Sequence, residues 1–369
     1  MSVSRATFLA AAACATGLAL PAAAEFRFDN DSGGYALFYG QFDPAYLSFD
    51  DGVSTFGEVV DNGHSNSRVG FWIRQPFAAG EFAFNFETGL GLRPSFLTNQ
   101  LFTPKAINWQ RTSIRKVDFS WKTDNAGTFY LGQGSDATDG VAHSDLSGTT
   151  LVTYNSIADT AGAALFRTAA GALSLRTVAQ AFPSLDGGRT GRVRYDTPSF
   201  GGVTVSASYG EEILAQAVDF ETADIALRYA GEIGATRIRG AVGYSRVKFA
   251  NGVTRHDTMG SVSMLHESGF NATLGAGNRK ETGDYIYGKL GYQAEWFAIG
   301  GTALSIDYYD GDDMTVAGSQ SQSMGIGAVQ SFDQVGVDAY LGYREYQLSE
   351  PGTAYRDATS VLFGALWRF

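Results

Sequence analysis

Along residues 25–369 the dominant pattern is an alternation of apolar and polar side chains with a period of two. Ile225, Leu227 and Tyr229 share one face of a segment whose other face carries Asp224, Ala226 and Arg228. Ile238, Val242 and Tyr244 oppose Arg239 and Ser245, and Ile286, Leu290 and Tyr292 oppose Tyr285, Tyr287 and Lys289. Val337, Ala339, Leu341 and Tyr343 oppose Asp338, Tyr340 and Arg344. Successive side chains of a strand point to opposite faces, so this pattern predicts β-strands with one apolar and one polar side. Short turn signals (Glu267-Ser268-Gly269; Asp333-Gln334 ahead of Val335-Gly336) alternate with longer polar connections at residues 50–67, 310–323 and 348–357. In a soluble sandwich the apolar faces would meet in a shared core. Here the second face carries Arg, Lys, Asp, Tyr and Gly throughout, as expected of a closed sheet that is apolar outside and wet inside.

Residues 135–188 break the pattern. They are rich in Ala, Gly, Ser and Thr with scattered Asp, and residues 169–182 read as a short helix. A long insertion of this kind between strands carries function or is disordered. No linker or charge block divides the chain, so the reading is one all-β domain over residues 25–369. The first 24 residues form a secretory signal in outline: Arg5, an apolar run from Ala6 to Leu20, Pro21, then Ala22-Ala23-Ala24 as a small-residue cleavage site. An uncleaved anchor or a lipid attached at Cys14 fits less well. Removing the signal takes away Cys14, the only cysteine, and moves the net charge from −11 to −12. A thiol-free exported chain suits an oxidising compartment.

Composition narrows the classes further. The 369 residues include 46 Gly, 26 Phe, 18 Tyr and only 8 Pro. That argues against disorder. No later stretch is apolar for the roughly 20 residues that a membrane helix needs. The acidic balance argues against a nucleic-acid partner. No nucleophile or phosphate-loop motif occurs, so no enzyme is expected. His143 beside Ser144 offers only a bare Ser-His pair for a barrel lipase. His64, His143, His256 and His266 lie in polar stretches and read as solvated loop residues. Asp307, Asp310, Asp312 and Asp313 around Gly311 are of the oxygen-ligand type that Ca²⁺ takes at external loops. The spacing is not an EF-hand, and no cofactor or metal is expected. Counting back from Phe369, the residues Trp367, Ala365, Phe363 and Val361 share one face. They would face lipid, with Phe369 and Trp367 in an aromatic girdle.

At this point the chain resembles the Gram-negative general porins, those of alphaproteobacteria in particular. Tyr39-Gly40-Gln41-Phe42-Asp43 is similar to the family's first-strand motif, and Ser67-Arg68-Val69-Gly70-Phe71 to its next strand. The hairpin partner is matched by residues 80–87, and the strand leading to the constriction loop by Gly127-Thr128-Phe129-Tyr130-Leu131-Gly132-Gln133. The most specific match is Asp186-Gly187-Gly188 with residues 192–202, RVRYDTPSFGG, where that loop ends. The resemblance implies a transmembrane antiparallel barrel of 16 strands, usually a homotrimer, with residues 135–188 folded into the lumen. It implies an outer-membrane location, contact with outer-membrane lipid and lipopolysaccharide, and insertion by the barrel-assembly machinery, which reads the terminal strand with Trp367 and Phe369. It also implies passive diffusion of small hydrophilic solutes and ions. A substrate-selective channel of the same architecture, or a secreted adhesin, are the alternatives.

The family sets arginines of the barrel wall against loop carboxylates. Carried over, the wall residues are Arg68 and Arg115, with Arg189, Arg192 and Arg194 as further candidates. Arg192 and Arg194 are two apart and share a face opposite Val193 and Tyr195. The loop acids available are Asp136, Asp139 and Asp145. The chain lacks the enterobacterial loop element that carries the facing acid. It also has Gln41 and Gln133 where the family often has basic residues. Both changes weaken the positive wall, and with the net charge they lean the expectation towards a weak cation preference.

Overall fold

The computed structural model describes residues 26–369, so the expected signal at residues 1–24 lies outside the described residues. The alternating segments become the staves of a closed antiparallel barrel with 16 strands among the described residues. Strand β1 has two parts, Tyr35–Phe42 and Pro44–Asp50, and so has β2, Thr55–Asp61 and Arg68–Phe77. The first half of the barrel continues with β3 (Gly80–Gly89), β4 (Ile114–Lys122), β5 (Thr128–Ser135), β6 (Arg189–Asp196) and β7 (Val203–Glu211). The second half comprises β8 (Phe220–Ile233), β9 (Thr236–Phe249), β10 (Thr254–His266), β11 (Phe270–Arg279), β12 (Gly283–Phe297), β13 (Gly300–Asp312), β14 (Gln320–Phe332), β15 (Val337–Glu350) and β16 (Ala358–Arg368). Strand β16 pairs with β15 on one side and with both parts of β1 on the other, from Thr359↔Asp50 to Arg368↔Gln41. That closure removes the open edges that a membrane interior does not tolerate. A further short strand, Phe26–Asp29, pairs with β1 beyond the end of β16.

The two faces follow the predicted parity. Ile225, Leu227, Val242, Ile286, Leu290, Leu341 and Phe363 are 42–65 % exposed on the outside. Asp224, Ala226, Tyr285, Tyr287 and Lys289, one residue away, are at most 6 % exposed inside. Near the short-turn rim the exposed aromatics Phe77, Phe129, Phe270, Trp296, Phe297, Trp367 and Phe369 form a girdle. Seating of the last residue explains the glycine of the Tyr39-Gly40-Gln41 motif. Gly40 and Phe369 exchange backbone hydrogen bonds of 2.8 and 3.1 Å. A Cβ on Gly40 would come within 2.6 Å of the Phe369 ring.

Two readings change. Residues 50–67 are not one polar loop: Thr55–Asp61 inside them is a strand that follows a short turn at residues 51–54, and residues 62–67 leave the sheet and turn into the lumen. Residues 169–182 are not a helix. They hold the second strand of a small hairpin (Leu165–Arg167 with Leu173–Thr177) and one helical turn, Val178–Ala181. The Thr177 side chain caps that turn. The strand lengths are unequal. Strands β3 to β7 have 8–10 residues, whereas most of β8 to β15 have 13–15. The wall is therefore low on one side and tall on the other.

The core lies inside the barrel, between the wall and the long insertion. Residues 136–188 fold into the lumen and bury Ile157, Phe166, Val178 and Phe182 against Leu47, Phe49, Tyr309 and Tyr346 of the wall. The Phe182 ring stands 5.4 Å from Tyr309 and 5.7 Å from Tyr346. Tyr285 and Tyr309 stack at 5.0 Å, and their hydroxyls donate to the carbonyls of Ser184 and Pro183. Wall glycines make room for the loop. Cβ atoms at Gly327 and Gly342 would each lie 2.7 Å from Val152.

Candidate functional site: the lumenal constriction

The space left open by the inserted loop is a cavity of about 850 Å³ on the low-wall side. Four basic side chains (Arg68, Lys105, Arg115, Arg189) and five acidic ones (Asp61, Asp139, Asp159, Asp186, Glu212) line it among the described residues. A second cavity, about 600 Å³, lies against β6 to β9 and is bordered by Arg228 and Arg239. Gly140, His143 and Tyr154 border both cavities and so mark the neck between them.

The basic side is built on β2, β4 and β6. Glu87 on β3 is 5 % exposed and lies behind the arginines. It accepts from Arg115 Nε at 2.6 Å and from the Tyr39 hydroxyl at 3.0 Å, and its other ion pair, to Arg68 Nε, is 3.6 Å. Residues 62–67 complete the frame: Asn66 accepts from Arg68 through its carbonyl and from Arg115 through its side chain. The guanidinium planes are thus fixed by bonds on the wall side. One glutamate offsets part of the charge of two arginines, and the remainder faces the lumen.

The opposing side comes from both ends of the loop. Gly140 has φ +85°, the left-handed region that glycine enters without a Cβ penalty. Its N–H and that of Ala142 donate to the Asp186 carboxylate at 2.7 and 2.8 Å. The Asp186 carboxylate also meets His143 Nδ1 at 3.2 Å. Burial pushes the Asp186 carboxyl up, but His143 and the two backbone donors outweigh it and hold it below the usual carboxylate range. Asp159 accepts from the Ser156 hydroxyl at 2.6 Å, and burial pushes its carboxyl up. Asp139 stands 3.6 Å from Arg189.

The structure brings Arg68, Arg115, Arg189 and Asp139 to one cavity. The other sequence candidates lie elsewhere. Arg192 points inward but is 3 % exposed, in a two-pronged ion pair with Asp118 at 2.8 Å. Arg194 is paired with Asp196 at 2.8 Å and donates to the Asp136 carbonyl. Asp136 is 2 % exposed and accepts from Thr190. Asp145 is pinned to Lys289 at 2.8 Å. Strand parity places Arg192 and Arg194 inside the barrel; Arg192 is taken by Asp118 on β4 and the loop residue Asp145 by Lys289 on β12, both out of reach of a periodicity argument, whereas Asp196 lies two residues from Arg194 on β6 itself. Sequence reasoning missed Asp159, Asp186 and Tyr154. Asp186 had a signal, as the first residue of the Asp186-Gly187-Gly188 motif.

His64 and His143 are not solvated loop residues: both are half-buried, His64 against Thr160 of the inserted loop and His143 within that loop. His64 Nε2 bonds Thr160 at 2.8 Å, and burial pulls its pKa down to about 3. His143 Nε2 has no hydrogen-bond partner among the described residues, so no Ser-His pair forms with Ser144. Asp307 belongs to a buried ion pair with Arg344 at 2.6 Å rather than to an external loop. Among the described residues no group of three or more carboxylate, imidazole or thiol side chains is placed to hold a metal ion.

Comparison with known proteins agrees with the barrel and its lumen. The Gram-negative porin family model matches residues 9–351, and the chain belongs to that family. Its fold is similar to that of an anion-selective porin from Comamonas acidovorans, at 14 % identity and TM-score 0.61, covering 91 % of this chain and all of that one. It is also similar to OmpT of Vibrio cholerae folded in vitro (15 %, TM-score 0.56, 94 % and 100 %). A third likeness is to Salmonella typhi OmpF in complex with daunomycin (12 %, TM-score 0.57, 93 % and 100 %). No curated protein matches the chain. The protein is an outer-membrane diffusion channel.

Proposed function

We propose that small hydrophilic solutes and ions cross between the arginines of the low wall and the carboxylates of the inserted loop, and that this gap sets the selectivity of the channel. One observation carries the reading: Arg68, Arg115 and Arg189 line the same cavity as Asp139, Asp159 and Asp186. Opposed charges held on rigid walls produce a field across the path. That field orients water, favours polar solutes and penalises apolar ones. No bond is made or broken, so no catalytic group or cofactor is required.

The surrounding assembly follows from the same reading. The chain is exported with residues 1–24 removed, inserted by the barrel-assembly machinery through its last strand, and embedded among outer-membrane lipid and lipopolysaccharide. It works as a homotrimer. The low wall carries a continuous outer row of phenylalanine rings, Phe38, Phe71, Phe84 and Phe119, at successive distances of 5.6, 5.9 and 4.7 Å. That is a surface a second copy can cover.

The test is single-channel recording of the refolded protein in a planar bilayer with a salt gradient. Arg68→Ala with Arg115→Ala is expected to move the reversal potential towards the cation. A charge about 8 Å from the ion path is worth about 0.5 kcal/mol in water. The K⁺/Cl⁻ permeability ratio should therefore rise several-fold. An unchanged reversal potential would remove these arginines from the selective gap.

A further inference from the structure

We propose that His143 is a specificity-determining residue of the channel, carrying on the loop side of the neck a positive charge whose loss as pH rises turns the pore towards cations. The proposal rests on the reading that ions pass between the arginine wall and the loop acids.

Placement is the first argument. His143 borders both lumenal cavities, so an ion moving from one to the other passes it. The second is its partner. Asp186 is the loop acid most firmly built into the neck, held by two backbone N–H groups, and His143 Nδ1 is the cation beside it at 3.2 Å. The third is the ring's bonding: Nε2 is buried without a partner among the described residues, so the contact of Nδ1 with Asp186 is the polar contact that orients the ring.

The charged groups around it act as follows. From its own loop, Asp139, Asp159 and Asp186 favour the protonated ring, and Tyr154 packs its ring 4.8 Å away. From the wall, Arg189 on β6 faces the same cavity, and Arg228 on β8 and Arg239 on β9 border the other. His64 on the β2 interruption stays neutral, since burial pulls it down to about 3. Burial lowers the His143 pKa, but the three carboxylates outweigh it and the ring titrates above its ordinary value. The sign follows. Below that pKa His143⁺ offsets Asp186, and above it Asp186 is left uncompensated beside the ion path. Cation preference therefore rises with pH.

The test is the reversal potential in a KCl gradient from about pH 5 to about pH 9, the range in which a perturbed histidine titrates. For the unaltered protein the K⁺/Cl⁻ ratio is expected to rise about two- to fourfold through one step above about pH 6.5. His143→Gln should abolish the step and hold the ratio at the alkaline value throughout. Asp186→Asn keeps the histidine but removes its counter-charge, so the step should move to lower pH with a smaller ratio on its acidic side. Burial pushes the Asp136 carboxyl up to about 7, so it titrates in the same window; Asp136→Asn should leave the step in place. A step that survives in His143→Gln, or a flat profile in the unaltered protein, overturns the proposal. If the profile is flat while Arg68→Ala with Arg115→Ala still shifts the reversal potential, the constriction reading stands and only the role of His143 fails. If neither changes the ratio, the constriction reading fails with it.

Discussion

Glu87 decides how much positive charge the arginine wall presents. It is buried behind Arg68 and Arg115, and the Tyr39 hydroxyl donates to its second oxygen. Glu87→Gln keeps the shape and removes the offset. The expected result is a shift towards anions, opposite in sign to Arg68→Ala with Arg115→Ala, measured by the same reversal potentials. Gly140 is the other residue that the neck depends on. An open space surrounds the position where a Cβ would be, so Gly140→Ala meets no clash and reports backbone strain alone. A left-handed alanine costs about 1–2 kcal/mol, expected as an earlier urea midpoint with little change in conductance. At this scale the inward direction of the arginines was legible because strand parity and a motif fix which way they face, but that Arg192 and Arg194 are taken up by Asp118 and Asp196 was not. The acids were not, because loop residues have no period. Asp145, Asp159 and Asp186 sit in similar polar surroundings in the sequence, and a lysine 144 residues away takes the first of them out of the gap.

The inserted loop is held by two different kinds of contact. Along one flank, hydroxyls of wall strands bond its backbone: Ser261 Oγ accepts from Ser144 N–H and Ser263 Oγ from Leu146 N–H. Lys289, fully buried, reaches Asp145 at 2.8 Å and the Thr153 carbonyl at 2.6 Å. At the other flank the aromatic core around Phe182 closes. Lys289→Met leaves a buried carboxylate without its cation, a loss of about 3–5 kcal/mol. Phe182→Ala opens a cavity at a cost of about 3–5 kcal/mol. Both are expected to free the loop while the barrel stays closed, giving noisier open-channel current and faster proteolysis within residues 136–188. A quiet channel from both would mean that neither contact holds the loop. The same elements mark how far the pattern could be read. The strands of the tall wall were plain in the sequence because each has a lipid face and a wet face over 10–15 residues. The strand Thr55–Asp61 was hidden because Gly57 and Glu58 interrupt the alternation between polar neighbours. The loop's hairpin was hidden because its partners are remote in sequence: Gln100 bonds Leu165, Asp51 pairs with Arg167 and Glu350 with Arg176.

The whole molecule is asymmetric. Its tall wall is faced with aliphatic side chains such as Leu290 and Ile306, and its low wall with a row of phenylalanine rings in tilted and edge-on contact. Lipid packs equally well on either surface, so the hydrophobic effect alone does not distinguish them. Shape and ring geometry do: rigid aromatic faces gain from offset stacking against a matching surface. The described chain contains no cysteine, which allows a direct test with single thiols. Phe119 is 43 % exposed on the low wall and Leu290 is 65 % exposed on the tall wall. With a short bifunctional thiol reagent in outer-membrane vesicles, Phe119→Cys is expected to give covalent dimers and Leu290→Cys none. Equal yields would mean random collision in the bilayer, and dimers from Leu290→Cys alone would move the contact to the tall wall. The low wall is also the side that carries Arg68, Arg115 and the short strands. If it is the covered side, neighbouring copies brace the half of the barrel where the strands are shortest and where the constriction arginines must hold their places.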